Sequence, residues 1–180
     1  MQTITFITGN QKKADYLAKY IWLPINHEKI DLDELQSLDL REIIEHKVKQ
    51  AYEKIGKPVI VEDVSLEFSA LVRLPGTFIK FFVQEIPYED ICRLLDGKDR
   101  SAIGLCAYGY YDGEQFKYFE WQIHWSIAEH PWRDNGFGWD RIFVPDGYSS
   151  VRSELNEEEY KEVYLKIKPI EKVRDFLLSL

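Results

Sequence analysis

The chain has 180 residues, 45% hydrophobic and 30% charged, which is enough for one sizeable core and excludes a fibrous repeat or a disordered chain. Its 23 Lys and Arg stand against 31 Asp and Glu, a net charge of −8 that argues against a broad basic face for nucleic acid while allowing a local basic pocket for a small polyphosphate. Cys92 and Cys106 show no CxxC spacing, and no run approaches the roughly 20 apolar residues of a membrane span, so a cytoplasmic protein without disulfides, structural zinc, membrane or nucleic-acid partners is expected.

Taken in order, Thr3 to Ile7 is a β-branched and aromatic run that predicts a strand, and Thr8-Gly9-Asn10 a tight loop. Lys12 to Trp22 follows with Ala14, Leu17, Ala18 and Ile21 at helical spacing. Ile25 to Leu32 fits a second strand. Leu38 to Ile55 predicts a long helix stopped by Gly56 and Pro58, and Val59-Ile60-Val61 a buried strand that ends at Glu62-Asp63. After the Pro75-Gly76 turn, Thr77 is placed to cap a helix through Phe78, Ile79, Phe82 and Val83, with another at Tyr88 to Leu95. Ala102 to Ile127 reads as two long strands joined at Asp112-Gly113. Ile142-Phe143-Val144 is apolar, and a last helix covers about Glu157 to Leu180 with a kink near Pro169. Interleaved strands and helices around a central hairpin predict an α/β fold, a mixed β-sheet flanked by helices, in one domain spanning 1–180.

Three segments place polar residues where packing alone does not ask for them. Between strand and helix, Thr8-Gly9-Asn10-Gln11-Lys12-Lys13 combines a glycine, the free N–H groups of a helix start and the charge of Lys13, a combination suited to phosphate. The same residues also fit a capped helix with solvated lysines. Glu62-Asp63, at a strand's carboxyl end, can hold a divalent cation or orient water, or else form a turn in which Asp63 and Ser65 bond local backbone. Phe137-Gly138-Trp139-Asp140 offers aromatic faces for a flat base with a carboxylate at its edge, or else rings for the core.

In sequence order, T-G-N-x-x-K, V-E-D, A-L-x-x-L-P-G, I-K-F-F and F-G-W-D-x-x-F-x-P-D-G-Y resemble the inosine triphosphate pyrophosphatase family from Ile4 to about Leu177. The resemblance implies an elongated α/β fold, usually homodimeric, whose cleft hydrolyses a nucleoside triphosphate to the monophosphate and pyrophosphate with Mg²⁺ or Mn²⁺. It implies that Thr8, Gly9, Asn10 and Lys13 hold phosphates and that Asp63 is the metal-linked catalytic carboxylate, beside Glu62. Lys13 joins Asp63 in catalysis, Lys47 and Lys80 match further family lysines, and Phe137, Gly138, Trp139 and Asp140 form the base pocket.

The chain also departs from that pattern. Where the family carries Gly-Glu, its glutamate a metal ligand, this sequence has Ser37-Leu38, with Asp39 the nearest substitute. The family's S-H-R signature, which reads the 6-keto purine edge, is replaced by Tyr164-Leu165-Lys166, and an upstream lysine by Tyr160. Its G-G before L-P-G is Val72-Arg73. Lys166, Tyr164 and Arg73 are the candidates to restore base reading, and Leu165 is expected in the core. The leading expectation is a nucleoside triphosphate pyrophosphohydrolase, on non-standard purine nucleotides but with altered or relaxed base choice. The rival readings are a catalytically silent nucleotide-binding module and a hydrolase of a different modified nucleotide.

Overall fold

The computed structural model describes residues 4–132 and 138–180. Its strands are β1 (Ile4–Ile7), β2 (Ile25–Glu28), β3 (Val59–Phe68), β4 (Pro75–Gly76), β5 (Ser101–Tyr111), β6 (Phe116–Ile127) and β7 (Phe143–Pro145). They form a mixed seven-stranded sheet in the order β2-β1-β3-β5-β6-β7, with β4 paired to β3 off that path. β1 runs parallel to both β2 and β3, whereas the β3–β4 and β6–β7 pairs are antiparallel. The helices are α1 (Gln11–Ile21), α2 (Leu40–Ile55), α3 (Ile79–Glu85), α4 (Tyr88–Arg93), α5 (Glu157–Lys166) and α6 (Ile170–Leu178). This is the α/β architecture expected from the sequence.

The chain divides into two compact units, each assembled from separated segments. The first takes Met1–Val64, Cys106–Trp121 and Lys168–Leu180. Its buried residues are the apolar faces that helical and strand periodicity place inward: Phe6 from β1, Leu17 and Ile21 from α1, Ile44 and Val48 from α2, Val59 to Val61 from β3 and Val173 from α6. Helix α2 lies tight against β5, because a Cβ on Gly109 would fall 2.4 Å from Ile44 Cγ2. That contact fixes the height of α2, and with it Lys47. The second unit takes Ser65–Leu105 and Gln122–Ile167 and closes over a core that includes Leu66, Phe68, Ile91, Trp125 and Phe143.

Several local expectations are corrected. β3 does not end at Glu62-Asp63 but continues to Phe68. Its parallel partner β1 stops opposite Val61, and β4 joins it at Leu66 and Glu67, so the two acids mark a change of neighbour within a continuing strand. Thr77 is not the cap of α3, which begins at Ile79 with Phe78 at the N-cap and no side-chain cap. Pro169 separates two helices, α5 and α6, instead of bending one, because it lacks the N–H that helical continuation needs. The second strand stops at Glu28, short of Leu32. The hairpin forms as read, with Asp112 Oδ1 accepting from the Glu114 and Gln115 amides and Gly113 at φ 102°.

Candidate active site

The loop between β1 and α1 is built by local hydrogen bonds. Thr8 Oγ1 accepts from the Asn10 amide at 3.1 Å, and Asn10 caps α1 by accepting from the Lys13 amide at 3.3 Å. Glycine at position 9 is not demanded by the fold itself, since a Cβ there would meet only Lys29 Cε at 3.8 Å, an ordinary contact. The first turn of α1 carries no acid but two lysines, Lys12 and Lys13, where the helix dipole favours negative charge. Because Ile7 pairs with Val61, the loop leaves β1 level with Glu62 and Asp63.

Two helices deliver lysines to these neighbouring carboxylates. Lys47, from α2, donates to Asp63 Oδ2 at 2.5 Å, while Asp63 Oδ1 accepts from the Val64 amide at 2.9 Å. Lys13 Nζ lies 3.3 Å from Glu62 Oε1. Successive strand residues face opposite sides of a sheet, so the pairs form on either face of β3, just beyond the point where β1 ceases to flank it. Glu62 has further partners that the sequence did not reveal: Lys168 donates to Oε1 at 2.7 Å and the Tyr108 hydroxyl to Oε2 at 2.5 Å. Burial, the strongest influence on Glu62, raises its pKa, but the Lys168 and Lys13 charges and the two hydrogen bonds outweigh it and hold the pKa down at about 2. The two acids differ in access: the Asp63 side chain is 25% exposed, that of Glu62 0%.

The remaining candidates lie in the second unit. Phe137 falls outside the described residues. Gly138, at φ 57°, opens a 3-10 turn through Arg141, and its carbonyl accepts from the Tyr88 hydroxyl at 2.7 Å. Trp139 packs on the edge of that unit's core. Asp140 is buried, with Oδ1 accepting from Arg152 Nη1 and Oδ2 from the Tyr160 hydroxyl, both at 3.1 Å. The Arg152 guanidinium lies 4.5 Å from the Tyr160 ring centroid. Of the residues weighed for base reading, Lys166 pairs with Glu162 on an exposed face of α5, Tyr164 is buried, and Arg73 reaches Glu67 at 3.6 Å. Leu165 is half-buried. Lys80 is exposed on α3 with its ammonium 5.6 Å from the Phe81 ring centroid.

Neither cysteine offers a nucleophile, because burial pushes the Cys92 thiol up to about 11 and that of Cys106 to about 12. For a divalent cation, the described residues contain no group of three or more acidic, histidine or cysteine side chains. Both Glu62 oxygens are engaged, and Asp39 is an exposed cap of α2 whose Oδ1 accepts from the Arg41 and Glu42 amides. Asp63 is the carboxylate with partial access, and such a donor suits Mg²⁺ when substrate phosphates supply further oxygens. No helix among the described residues is long and apolar enough to cross a membrane.

Comparison with known proteins places the chain in a family. Residues 4–176 match the model of the Ham1 family. The chain is 35% identical over 195 residues to the inosine triphosphate pyrophosphatase of Scheffersomyces stipitis, covering 99% of this chain and 100% of that protein. It is 32% identical over 203 residues to the enzyme of the same name from Candida albicans, again covering 99% and 100%. Among solved structures, a HAM1 protein from Coxiella burnetii superposes with a TM-score of 0.84 at 21% identity over the whole of both chains. The Staphylococcus aureus Ham1 protein gives 0.80 at 23% identity, over 98% of this chain and 99% of that one. The fold and the matched length define the class, and the chain belongs to the Ham1 family. The family that its motifs resemble is therefore the one in which it falls.

Proposed function

We propose that the protein hydrolyses nucleoside triphosphates to the monophosphate and pyrophosphate, with a base choice relaxed relative to its inosine triphosphate pyrophosphatase relatives. The observation that carries the proposal is the pairing of Lys47 with Asp63 and of Lys13 with Glu62 at the end of β1, beside a loop whose glycine the fold does not require. Lys13, Lys47 and the Thr8-Gly9-Asn10 backbone meet the triphosphate charge. Asp63 orients the attacking water and accepts its proton, and the hydrogen bond from Lys47 holds that carboxylate in place. When bound, Mg²⁺ or Mn²⁺ would be held by Asp63 together with phosphate oxygens and would neutralise developing charge.

Of the residues that the resemblance gives to the base, Gly138, Trp139 and Asp140 are carried by the second unit. Both Asp140 oxygens already accept from Arg152 and Tyr160, and Lys166 pairs with Glu162, so the groups that would reject a 6-amino purine are engaged elsewhere. The homodimer implied by the resemblance is part of the same proposal, and sedimentation tests it. The activity is tested by kcat/KM for ITP, XTP, dITP, ATP and GTP with Mg²⁺. Turnover of several, with ITP preferred over ATP by less than about 100-fold, supports the proposal. Turnover of none, with nucleotide still bound, leaves a silent binding module.

A further inference from the structure

Glu62 is a buried carboxylate with two ammonium groups on one of its oxygens. Lys168 lies nearer, at 2.7 Å with a side chain 9% exposed, while Lys13 stands off at 3.3 Å and is 20% exposed. Tyr108 holds the other oxygen and lies under Lys168, whose ammonium is 5.8 Å from the ring centroid. One negative charge is thus divided between two positive ones, and the closer, less accessible lysine takes the larger share. Lys168 reaches this centre from just ahead of α6, 106 residues from Glu62 in sequence.

We propose that Lys168 is a positioning residue for the phosphate site: by occupying Glu62 it prevents that carboxylate from neutralising Lys13, whose ammonium then stays available to a polyphosphate. The inference rests on the phosphate-binding reading given above. Its physical content is a competition. Without Lys168, Lys13 remains as the lysine on the buried Glu62, and the pair tightens at the expense of the ligand. If the Glu62 charge is removed as well, Lys13 is released. A residue acting only on stability would show that reversal in unfolding and not in ligand affinity.

The test is calorimetric titration with inorganic tripolyphosphate, in parallel with nucleotide turnover, on the full-length protein and on Lys168→Met, Lys168→Arg and the double variant Glu62→Gln/Lys168→Met. Lys168→Met should weaken tripolyphosphate binding by about 10-fold or more and raise KM further than it lowers kcat, whereas Lys168→Arg stays within about 3-fold of the parent. The double variant should return to within about 3-fold of the parent. Should Lys168→Met not fold, the double variant decides alone, because it buries no unpaired carboxylate. Parent-like binding by folded Lys168→Met, or a loss in the folded double variant of about 10-fold or more, overturns the proposal. If these binding changes appear but no nucleotide is turned over, the positioning role stands and the catalytic reading fails. If the parent binds no tripolyphosphate, both fall.

Discussion

The two units each hold a buried acid at a charged centre, but they balance it differently. In the first, three lysines, from α1, α2 and the segment just ahead of α6, serve the adjacent acids Glu62 and Asp63, with Lys13, Lys47 and Asp63 between 19% and 25% exposed. In the second, one arginine and one phenol close on both oxygens of Asp140, leaving the Arg152 side chain 8% and that of Asp140 2% exposed. A cation-rich, half-open centre can exchange its internal partners for a ligand's phosphates. A buried pair in which both carboxylate oxygens are occupied has little left to give and mainly fixes the local structure. The contrast separates a centre suited to chemistry from one suited to order, and it can be broken by substitution.

The largest effect is expected at Asp63. Asp63→Asn should lower kcat by about 10²–10⁴-fold while the circular dichroism spectrum is retained, since the water loses its acceptor and Lys47 its counter-charge. Turnover within about 5-fold of the parent would move the chemistry elsewhere. Next comes Arg152→Ala, which strands a buried carboxylate and should cost about 3–5 kcal/mol in urea unfolding, most of it recovered by adding Asp140→Asn. If the second substitution restores nothing, the pair is not what orders that unit.

Glu62 gives a comparable but pH-dependent effect. Its pKa falls from 4.5 unfolded to about 2 folded, so its stabilisation, about 3 kcal/mol, is complete above pH 4.5 and is lost as pH falls toward 2. The stability gap between the parent and Glu62→Gln should therefore narrow across that window, and a constant gap contradicts the pairing. The smallest expected effect lies at Val72. It holds φ 65°, ψ −78° with the Arg73 amide bonded to the Leu71 carbonyl at 2.9 Å, a tight turn that strains a β-branched residue. Where the resembled family has glycine, Val72→Gly should raise stability by about 1 kcal/mol, the relief of strain exceeding the entropy of glycine. A lower melting temperature would contradict this.

What the sequence made legible was local. Gly56 as a stop and Asp112-Gly113 as a hairpin turn act over a few residues, and each appears as read. The end of β3 was misread because two acids interrupt the apolar run, although a new strand neighbour carries the ladder onward. Lys47 was reached through the family resemblance, as a match to one of its lysines. Lys168 and Tyr108 were not, because their role is a contact across 106 and 46 residues of chain. The available hints were a lysine between Ile167 and Pro169-Ile170 and a tyrosine within the apolar middle of β5, and neither names its partner.

The account depends on hydrolysis that releases the two terminal phosphates together. Chromatographic separation of the products formed from ITP with Mg²⁺ tests it most directly: inosine monophosphate and pyrophosphate should appear in equal amounts, with no diphosphate. Inosine diphosphate with orthophosphate, or unchanged ITP, would contradict it.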